Sequence, residues 1–363
     1  MSHSIALIGA GWYGCHLAVT FRSLGFKVTL FEKNSQIFQG ASGNNQFRLH
    51  MGFHYARHHG TRLQSRDGFY RFIERYPHLT RSVERNIYAI PKKQSLLDYN
   101  TYKMIMQSSG MTFSELLDIP DDLQEVEGAF LTPERTLLIS AARAYFQNQL
   151  TDTLRLDTTV TSIEDLPDGI RVEGEKFDFL VDTTWGHFIR PSVPCIWEPT
   201  ILLYYESKTP VSSAYTFVDG PLYSVYPTED PMVVTLSSVP HTPLGAYESS
   251  AQSKAALNRV NSALVASRRA SMEQQCTRNL PWFTDAFRFL GVQLSIKTKP
   301  IGASDDRSCH VERHGRQLIV FSGKIDAIFH AEERILSAIT AVSAKEPEPH
   351  SSSLRESIIQ LKR

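Results

Sequence analysis

The chain opens on a short unbroken apolar run, Ile5-Ala6-Leu7-Ile8, that ends in glycine, the pattern of a parallel strand covered on both faces. From residue 12 the period changes. Leu17, Ala18, Phe21 and Leu24 recur at helical spacing and Gly25 supplies a stop, which predicts a helix over 12–24. A second strand is predicted over 27–32. The opening therefore reads strand, helix, strand with short turns, and a right-handed crossover makes the two strands parallel.

Residues 40–60 are rich in Gly, Asn and His, show no period and read as a long loop, which in a compact domain points to function. Helices are predicted over 61–76 and 137–150, and strands over 155–163, 169–173 and 177–184. From Pro191 the texture turns β-branched and aromatic with interrupting prolines. Strands over 200–206, 214–218, 222–226 and 232–237 predict an antiparallel sheet. A polar-faced helix over 253–275, a buried strand over 318–321 and a helix over 326–342 return the chain to its opening style. Residues 347–353 are rich in Pro, Ser and Glu, and Ser353 with Glu356 forms a candidate capping box in the tail.

Charge changes this picture little. Lys plus Arg and Asp plus Glu are 38 each, so no bulk field draws the chain to nucleic acid or an anionic membrane. Cys15, Cys195, Cys276 and Cys309 are scattered and form no C-x-x-C pair, which disfavours a zinc ribbon or dithiol motif and suits reduced thiols in a cytoplasm. The first apolar stretch is interrupted by glycine after a few residues, unlike a signal peptide, and no run approaches the ~20 apolar residues of a membrane span. A cytoplasmic protein without a membrane partner is the expectation.

The chemistry begins at Gly9-Ala10-Gly11-Trp12-Tyr13-Gly14, a G-x-G-x-x-G run between the first strand and the first helix. Gly9 permits the turn, Gly11 lets backbone approach a diphosphate, and Gly14 allows helix and strand to pack closely. Glu32, followed by Lys33, ends the second strand where a carboxylate accepts from ribose hydroxyls. Strand, helix, strand and acid in register predict a dinucleotide site. A nicotinamide enzyme normally continues in alternating βα units. Here Gly40-Ala41-Ser42-Gly43-Asn44-Asn45 and a His-rich loop follow instead, a small-residue segment suited to a bulky flavin. That favours FAD.

Residues 5–32, then Ala41-Ser42-Gly43-Asn44-Asn45, then Arg48-Leu49-His50-Met51-Gly52-Phe53-His54-Tyr55, resemble the D-amino-acid oxidase (DAO) superfamily of FAD enzymes, which includes glycine and sarcosine oxidases and L-2-hydroxyglutarate oxidases. Lys299-Pro300, Ser304-Asp305-Asp306 and Phe321-Ser322-Gly323-Lys324 are similar to the closing stretch of its sarcosine-oxidase-like members. The likeness covers about the first 60 and last 65 residues. It implies an α/β (α+β overall) fold: a Rossmann-type FAD domain from 1–85, 135–190 and 296–345, a discontinuous antiparallel-sheet substrate domain from 86–134 and 191–295, and a tail, 346–363. It also implies that Val160 lies near the adenine, that Thr183 and Thr184 lie near the diphosphate, and that the final helix starts beside the flavin ring with the Gly323 and Lys324 amides, Trp185 and Ile325 adjoining these segments. With Gly9, Gly11, Trp12, Tyr13, Gly14, Glu32, Lys33, Ala41, Ser42, Asn44, Asn45, Arg48, Leu49 and His50 these form the expected cofactor set. Ile301 stands where sarcosine oxidases have the cysteine that holds flavin, so the FAD is expected to be non-covalent.

On the substrate side, His50, His54, His58 and His59 lack an H-E-x-x-H pattern or a nearby acid, and no metal site is expected. His50 and His54 are candidates to flank the flavin, with a pKa near 6.5 suited to accepting a proton. Arg48 and Arg57 are candidates for gripping a carboxylate, Tyr204, Tyr223 and Tyr226 for lining the pocket, and Arg307 for an anion clamp. The catalytic set is His50, His54, Tyr226 and Arg307. The expected reaction is oxidation of a C–N bond of an amine or amino acid, free or tethered, by hydride transfer to flavin N5, with hydrolysis of the imine and oxygen or another acceptor taking the electrons. The alternatives are a 2-hydroxy-acid dehydrogenase or oxidase and a flavin-binding protein without turnover.

Overall fold

The computed structural model describes residues 3–302 and 306–343. Ser304, Asp305, the 347–353 segment and the Ser353/Glu356 capping box lie outside the described residues. In chain order, β1 (Ser4–Ile8), α1 (Trp12–Ser23) and β2 (Lys27–Phe31) form the predicted unit, with β1 and β2 parallel from Ser4 opposite Lys27 to Ile8 opposite Phe31. The 40–60 region holds a 3-10 turn at Ala41–Gly43 and a two-residue strand at Arg48–Leu49. The next helix, α2 (His59–Arg75), starts before residue 61 because His58 caps it, its Nδ1 accepting the Thr61 N–H at 3.1 Å.

Three elements then appear that the hydrophobic pattern did not announce: β3 (Arg85–Pro91), α3 (Tyr99–Ser108) and β4 (Val126–Leu131). After α4 (Ile139–Gln149), the strand predicted over 155–163 reduces to Leu154–Arg155. Asp157, at φ 50°, takes the left-handed conformation that no strand continues through, and pairing resumes at Ile163. The chain continues through β5 (Phe179–Asp182), β6 (Cys195–Ser207), β7 (Ser213–Phe217), β8 (Tyr223–Pro227) and β9 (Val233–Ser238). The single helix predicted over 253–275 is two, α5 (Ser250–Leu257) and α6 (Ser262–Cys276). Asn261 restarts it by accepting the Leu264 N–H at 3.0 Å. The last elements are β10 (Phe287–Pro300), β11 (His310–His314), β12 (Gln317–Phe321) and α7 (Ile328–Ser343).

A six-stranded sheet runs β11-β12-β5-β1-β2 and ends on Leu154–Arg155; its members are parallel except β11. An eight-stranded sheet runs β10-β6-β9-β8-β7-β3-β4 and ends on Ser114–Glu115. This second sheet departs from the antiparallel expectation at one junction, where β3 lies parallel to β7. No hairpin joins those two strands, which are remote in sequence, so nothing forces their directions to oppose.

Register divides the second sheet into two chemically different faces. Ile201, Leu203, Tyr205, Val225, Leu236, Phe217, Ile87 and Ala89 form an apolar face closed by Met272 and Cys276 of α6, with Leu280 and Phe283. On the other face Tyr204 stands opposite Thr235, Thr235 opposite Tyr226, Ser224 near Thr216, and Thr216 opposite Tyr88. This is a polar row, satisfied in part within the sheet: Thr216 Oγ1 lies 3.0 Å from Ser224 Oγ and Thr235 donates to the Tyr226 carbonyl at 3.2 Å. Among the described residues no helix is long and apolar enough to cross a membrane.

Candidate active site

The glycine turn is held by backbone. Gly9 has φ +95°, and a Cβ on Gly14 would sit 1.9 Å from the Gly9 carbonyl oxygen, so α1 packs against the turn only without a side chain there. Gly11 gives α1 no side-chain cap and the first turn has no acid, which leaves the positive helix end open to an anion. Thr183 at the end of β5 donates its hydroxyl to the Ile8 or Gly9 carbonyl, each 2.8 Å away, and the Thr184 methyl faces Gly9. Glu32 is buried. Its Oε1 accepts both the backbone N–H and the side-chain amide of Asn34, at 3.0 and 2.5 Å, whereas its Oε2 accepts only the Ala10 N–H, at 2.8 Å, and keeps a lone pair for a further donor.

The small-residue loop closes on the same turn. Ser42 Oγ accepts the Trp12 N–H at 3.0 Å. Asn44 and Asn45 shape the loop rather than point outward, donating to the Gln39 and Gly40 carbonyls and to the Ala41 and Ser42 carbonyls. From the far end of the chain, Ser322-Gly323-Lys324 meets α1: Tyr13 donates its hydroxyl to the Lys324 carbonyl at 2.5 Å and lies 2.8 Å from Ser322 Oγ. Gly323 sits against Trp185, whose ring would be 2.1 Å from an added Cβ. The buried Lys324 Nζ lies 3.8 Å from the centre of the Tyr55 ring and 3.4 Å from Asp326 Oδ2, without a hydrogen-bond acceptor. Val160 is buried near Phe31 and Phe177, Leu49 is core, Lys33 is exposed, and Ile325 opens the turn before α7. An open helix end, a ribose-side carboxylate and a buried ammonium without an acceptor fit an adenine dinucleotide at one end and an electron-rich ring at the other.

Facing the polar row is a cluster centred on Tyr88. Its hydroxyl lies 2.7 Å from Glu134 Oε2, 3.0 Å from an Arg48 guanidinium nitrogen and 2.8 Å from His54 Nδ1. Glu134 is fully buried, and its Oε1 accepts the Met51 N–H at 2.8 Å. Arg48 also donates to Ser224 Oγ and stacks 3.9 Å above the Tyr226 ring. His50 packs edge-on against His54, with ring centres 4.9 Å apart. Burial, reinforced by Arg48, Lys324 and Lys297, pushes both imidazoles well below their ordinary value, so the expectation of a pKa near 6.5 is corrected downward. Burial raises Glu134, against the pull of Arg48, the Met51 amide and Tyr88. Burial beside Lys299 and Arg307, opposed by Glu198, lowers the Lys297 ammonium to about 8.

Of the residues singled out from the sequence, the structure gathers Arg48, His50, His54 and Tyr226. It does not gather the others. Arg48 is no free carboxylate clamp, because its two terminal nitrogens donate to Tyr88 and Ser224, its plane lies on Tyr226 and Glu134 faces it, with only Nε left without a hydrogen-bond partner, and Arg57 is paired with Asp219 at 2.5 Å. Tyr223 points to the opposite face, donating to the Cys276 carbonyl at 3.0 Å, because it is out of phase with Tyr226 on β8. Tyr204 lies on the polar face and accepts from Gln293 at 2.5 Å. Arg307 sits apart, anchored through its backbone N–H to Thr61 Oγ1 at 3.0 Å. His58 caps α2 and His59 lies beside Arg62. Among the described residues no group of three or more His, Cys, Asp or Glu is placed to hold a metal. Tyr88, Glu134, Gln293 and Lys297 were missed. The one signal for Tyr88 is its alternation with Ile87 and Ala89 along β3, whereas Glu134 lies outside every motif.

The model of the DAO family, FAD dependent oxidoreductase, matches residues 4–291. The FAD-dependent monooxygenase FPY4 of Fusarium mangiferae is 56% identical over 337 residues, covering 93% of this chain and 91% of the relative. The FAD-dependent monooxygenase kojA of Aspergillus flavus is 27% identical, covering 94% and 86%. Among solved structures, glycine oxidase from Geobacillus kaustophilus matches with a TM-score of 0.68 at 14% identity over 96% of each chain. NikD, an unusual amino acid oxidase essential for nikkomycin biosynthesis, matches at 0.70 and 13%, again over 96% of each chain. These two likenesses concern the fold alone. Sequence family, fold and cradle agree: the chain belongs to the DAO family of FAD-dependent oxidoreductases, and FAD is its cofactor.

Proposed function

We propose that this enzyme oxidises a C–N bond of a small amine or amino acid, free or tethered to a larger molecule, and that water hydrolyses the resulting imine to a carbonyl compound. The observation that carries this reading is the charge pattern at His50 and His54. Burial pushes both imidazoles down, and Arg48, Lys324 and Lys297 add to that in spite of the carboxylates beside them, Glu134 at Arg48, Asp326 at Lys324 and Glu198 at Lys297. Such a surrounding disfavours an ammonium and favours the neutral amine, whose lone pair assists oxidation of the adjoining carbon. It also attracts a carboxylate, for which Lys297 is the candidate partner now that Arg48 and Arg57 are engaged.

Bound FAD supplies the acceptor for the two electrons. In this reading Gly9, Gly11, Gly14 and Glu32 hold its nucleotide end, Thr183 and Thr184 lie along the diphosphate, and Gly323 and Lys324 lie beside the ring, non-covalently. His54 and His50 receive the amine N–H, and Tyr226 keeps Arg48 in place beneath them. The cofactor lobe of 1–85, 135–190 and 296–345, and the substrate lobe of 86–134 and 191–295, are proposed with it.

Anaerobic mixing of the yellow holoenzyme with panels of amines, amino acids and 2-hydroxy acids tests the reading. Amines or amino acids should bleach the oxidised flavin and yield a carbonyl product. Bleaching by hydroxy acids alone overturns it in favour of C–O oxidation. A second reading, oxygen insertion, is favoured by the names of the FPY4 and kojA relatives, both monooxygenases. It requires one atom of labelled dioxygen in the product, whereas C–N oxidation takes its carbonyl oxygen from water.

A further inference from the structure

We infer that Glu134 and Tyr88 are positioning residues, which through one shared hydroxyl fix His54 as the tautomer protonated on Nδ1 and leave Nε2 as a lone-pair acceptor. This rests on the reading of His54 as a substrate-side group.

A tyrosine hydroxyl has one proton and two acceptor lone pairs. Three groups lie in hydrogen-bond reach of the Tyr88 oxygen: Glu134 Oε2 at 2.7 Å, an Arg48 nitrogen at 3.0 Å and His54 Nδ1 at 2.8 Å. Arg48 is always charged and only donates, so it occupies one lone pair. The single proton then goes to Glu134 or to His54.

Charge balance chooses. Arg48 and Glu134 are both buried, 3.9 Å apart, and an isolated guanidinium in such a place is strongly unfavourable. Glu134 is the acid that faces it, and its other oxygen already accepts the Met51 N–H. As a carboxylate, Glu134 has no proton to give and takes the one on Tyr88. The second Tyr88 lone pair therefore faces His54, and His54 Nδ1 must donate. Its Nε2, across the ring from Nδ1, faces away from Tyr88 and has no partner among the described residues. His50 shows the contrast: its Nδ1 is 3.9 Å from Glu134 Oε1 and makes no hydrogen bond, so nothing selects its tautomer.

The test is two-bond proton–nitrogen correlation on nitrogen-15 histidine-labelled holoenzyme, with His54 assigned from a His54→Gln sample. The wild-type protein should show His54 protonated on Nδ1. In Glu134→Gln the new carbonyl keeps the Met51 N–H and the amide NH2 turns to Tyr88. The Tyr88 proton then swings to His54 Nδ1, and the imidazole proton moves to Nε2. Tyr88→Phe keeps the ring and its packing but removes the hydroxyl, and the Nδ1 preference should disappear; this variant carries the test if Glu134→Gln does not fold. With a substrate that bleaches the flavin, the bleaching rate in Glu134→Gln should fall about 100-fold, the scale of a misplaced proton acceptor, with KM much less affected. Flavin content should be unchanged. A wild-type His54 protonated on Nε2, or an unaltered tautomer in both variants, overturns the inference. Because the tautomer is read without substrate, failure of every substrate panel counts against the proposed function and not against this assignment.

Discussion

The turn that receives the nucleotide and the cluster around Tyr88 are both buried and polar, yet they are built in opposite ways. The turn is made of backbone, with Gly9, Gly11 and Gly14 inside six consecutive residues and their amides and carbonyls as working parts. The cluster is made of side chains. Arg48, His54, Tyr88, Glu134, Ser224 and Tyr226 come from four separate stretches of chain and meet because β3 inserts beside β7. A backbone device tolerates no added atom, whereas a side-chain cluster tolerates shape changes but no unmatched charge. Each rule can be broken on its own.

The largest effect is expected at the turn. Gly14→Ala places a methyl group 1.9 Å from the Gly9 carbonyl oxygen, a backbone atom with no rotamer to escape into. The turn must open, and the variant should purify without flavin, measured as FAD released per chain. A Gly14→Ala protein with full flavin content would end the claim that backbone closeness defines this region.

The same contrast explains what the sequence revealed. A turn that works through consecutive backbone groups leaves consecutive glycines, and Glu32 follows at the next strand end, so the cofactor half was legible from residues 5–32. Tyr88 and Glu134 carry no motif, because their meaning lies in register. Tyr88 stands opposite Thr216 on β7, which neighbours Ser224 on β8, and no local pattern predicts a parallel junction between strands so far apart. Arg48 and Tyr223 misled for a related reason: chemistry suggested a role, but the partners that use up Arg48 and the strand phase that turns Tyr223 away are tertiary facts.

The second effect tests charge matching. Glu134→Ala leaves the Arg48 guanidinium buried without its carboxylate, and breaking such a pair costs about 3–5 kcal/mol. Denaturant unfolding should show that loss, far beyond the ~1 kcal/mol of an average substitution. A smaller loss would mean that water reaches Arg48.

The third effect is a pH dependence to which the cluster contributes. His50 and His54 have folded-state values depressed below the ordinary 6.5 by burial and neighbouring cations. As pH falls below 6.5 the unfolded chain binds protons that the folded chain refuses. Stability therefore falls with acidification, by up to about 1.4 kcal/mol per pH unit for each imidazole, until the folded values are reached. His16, His187 and His241, also depressed by burial, act in the same direction, so the informative quantity is a difference. Unfolding midpoints between pH 7 and 5.5 should move less in a His50→Gln, His54→Gln double variant than in wild type. Equal slopes would assign the acid sensitivity to those other histidines and remove it from the site.

The smallest effect separates packing from ligand approach at Gly11. Its backbone is extended, at φ −83° and ψ −168°, so conformation does not demand glycine. A Cβ there would meet only the Ser42 side chain, with Oγ at 2.7 Å. Ser42→Ala removes that oxygen and leaves the Trp12 N–H without its acceptor, a capping loss of about 1 kcal/mol. In that background Gly11→Ala should cost the protein without cofactor almost nothing further, because the clashing atom is gone. If Gly11 is glycine so that backbone can approach the diphosphate, the double variant should still bind FAD far more weakly than Ser42→Ala alone. If FAD binds both equally, Gly11 answers to Ser42 and not to the cofactor, and the backbone device shrinks to Gly9 and Gly14.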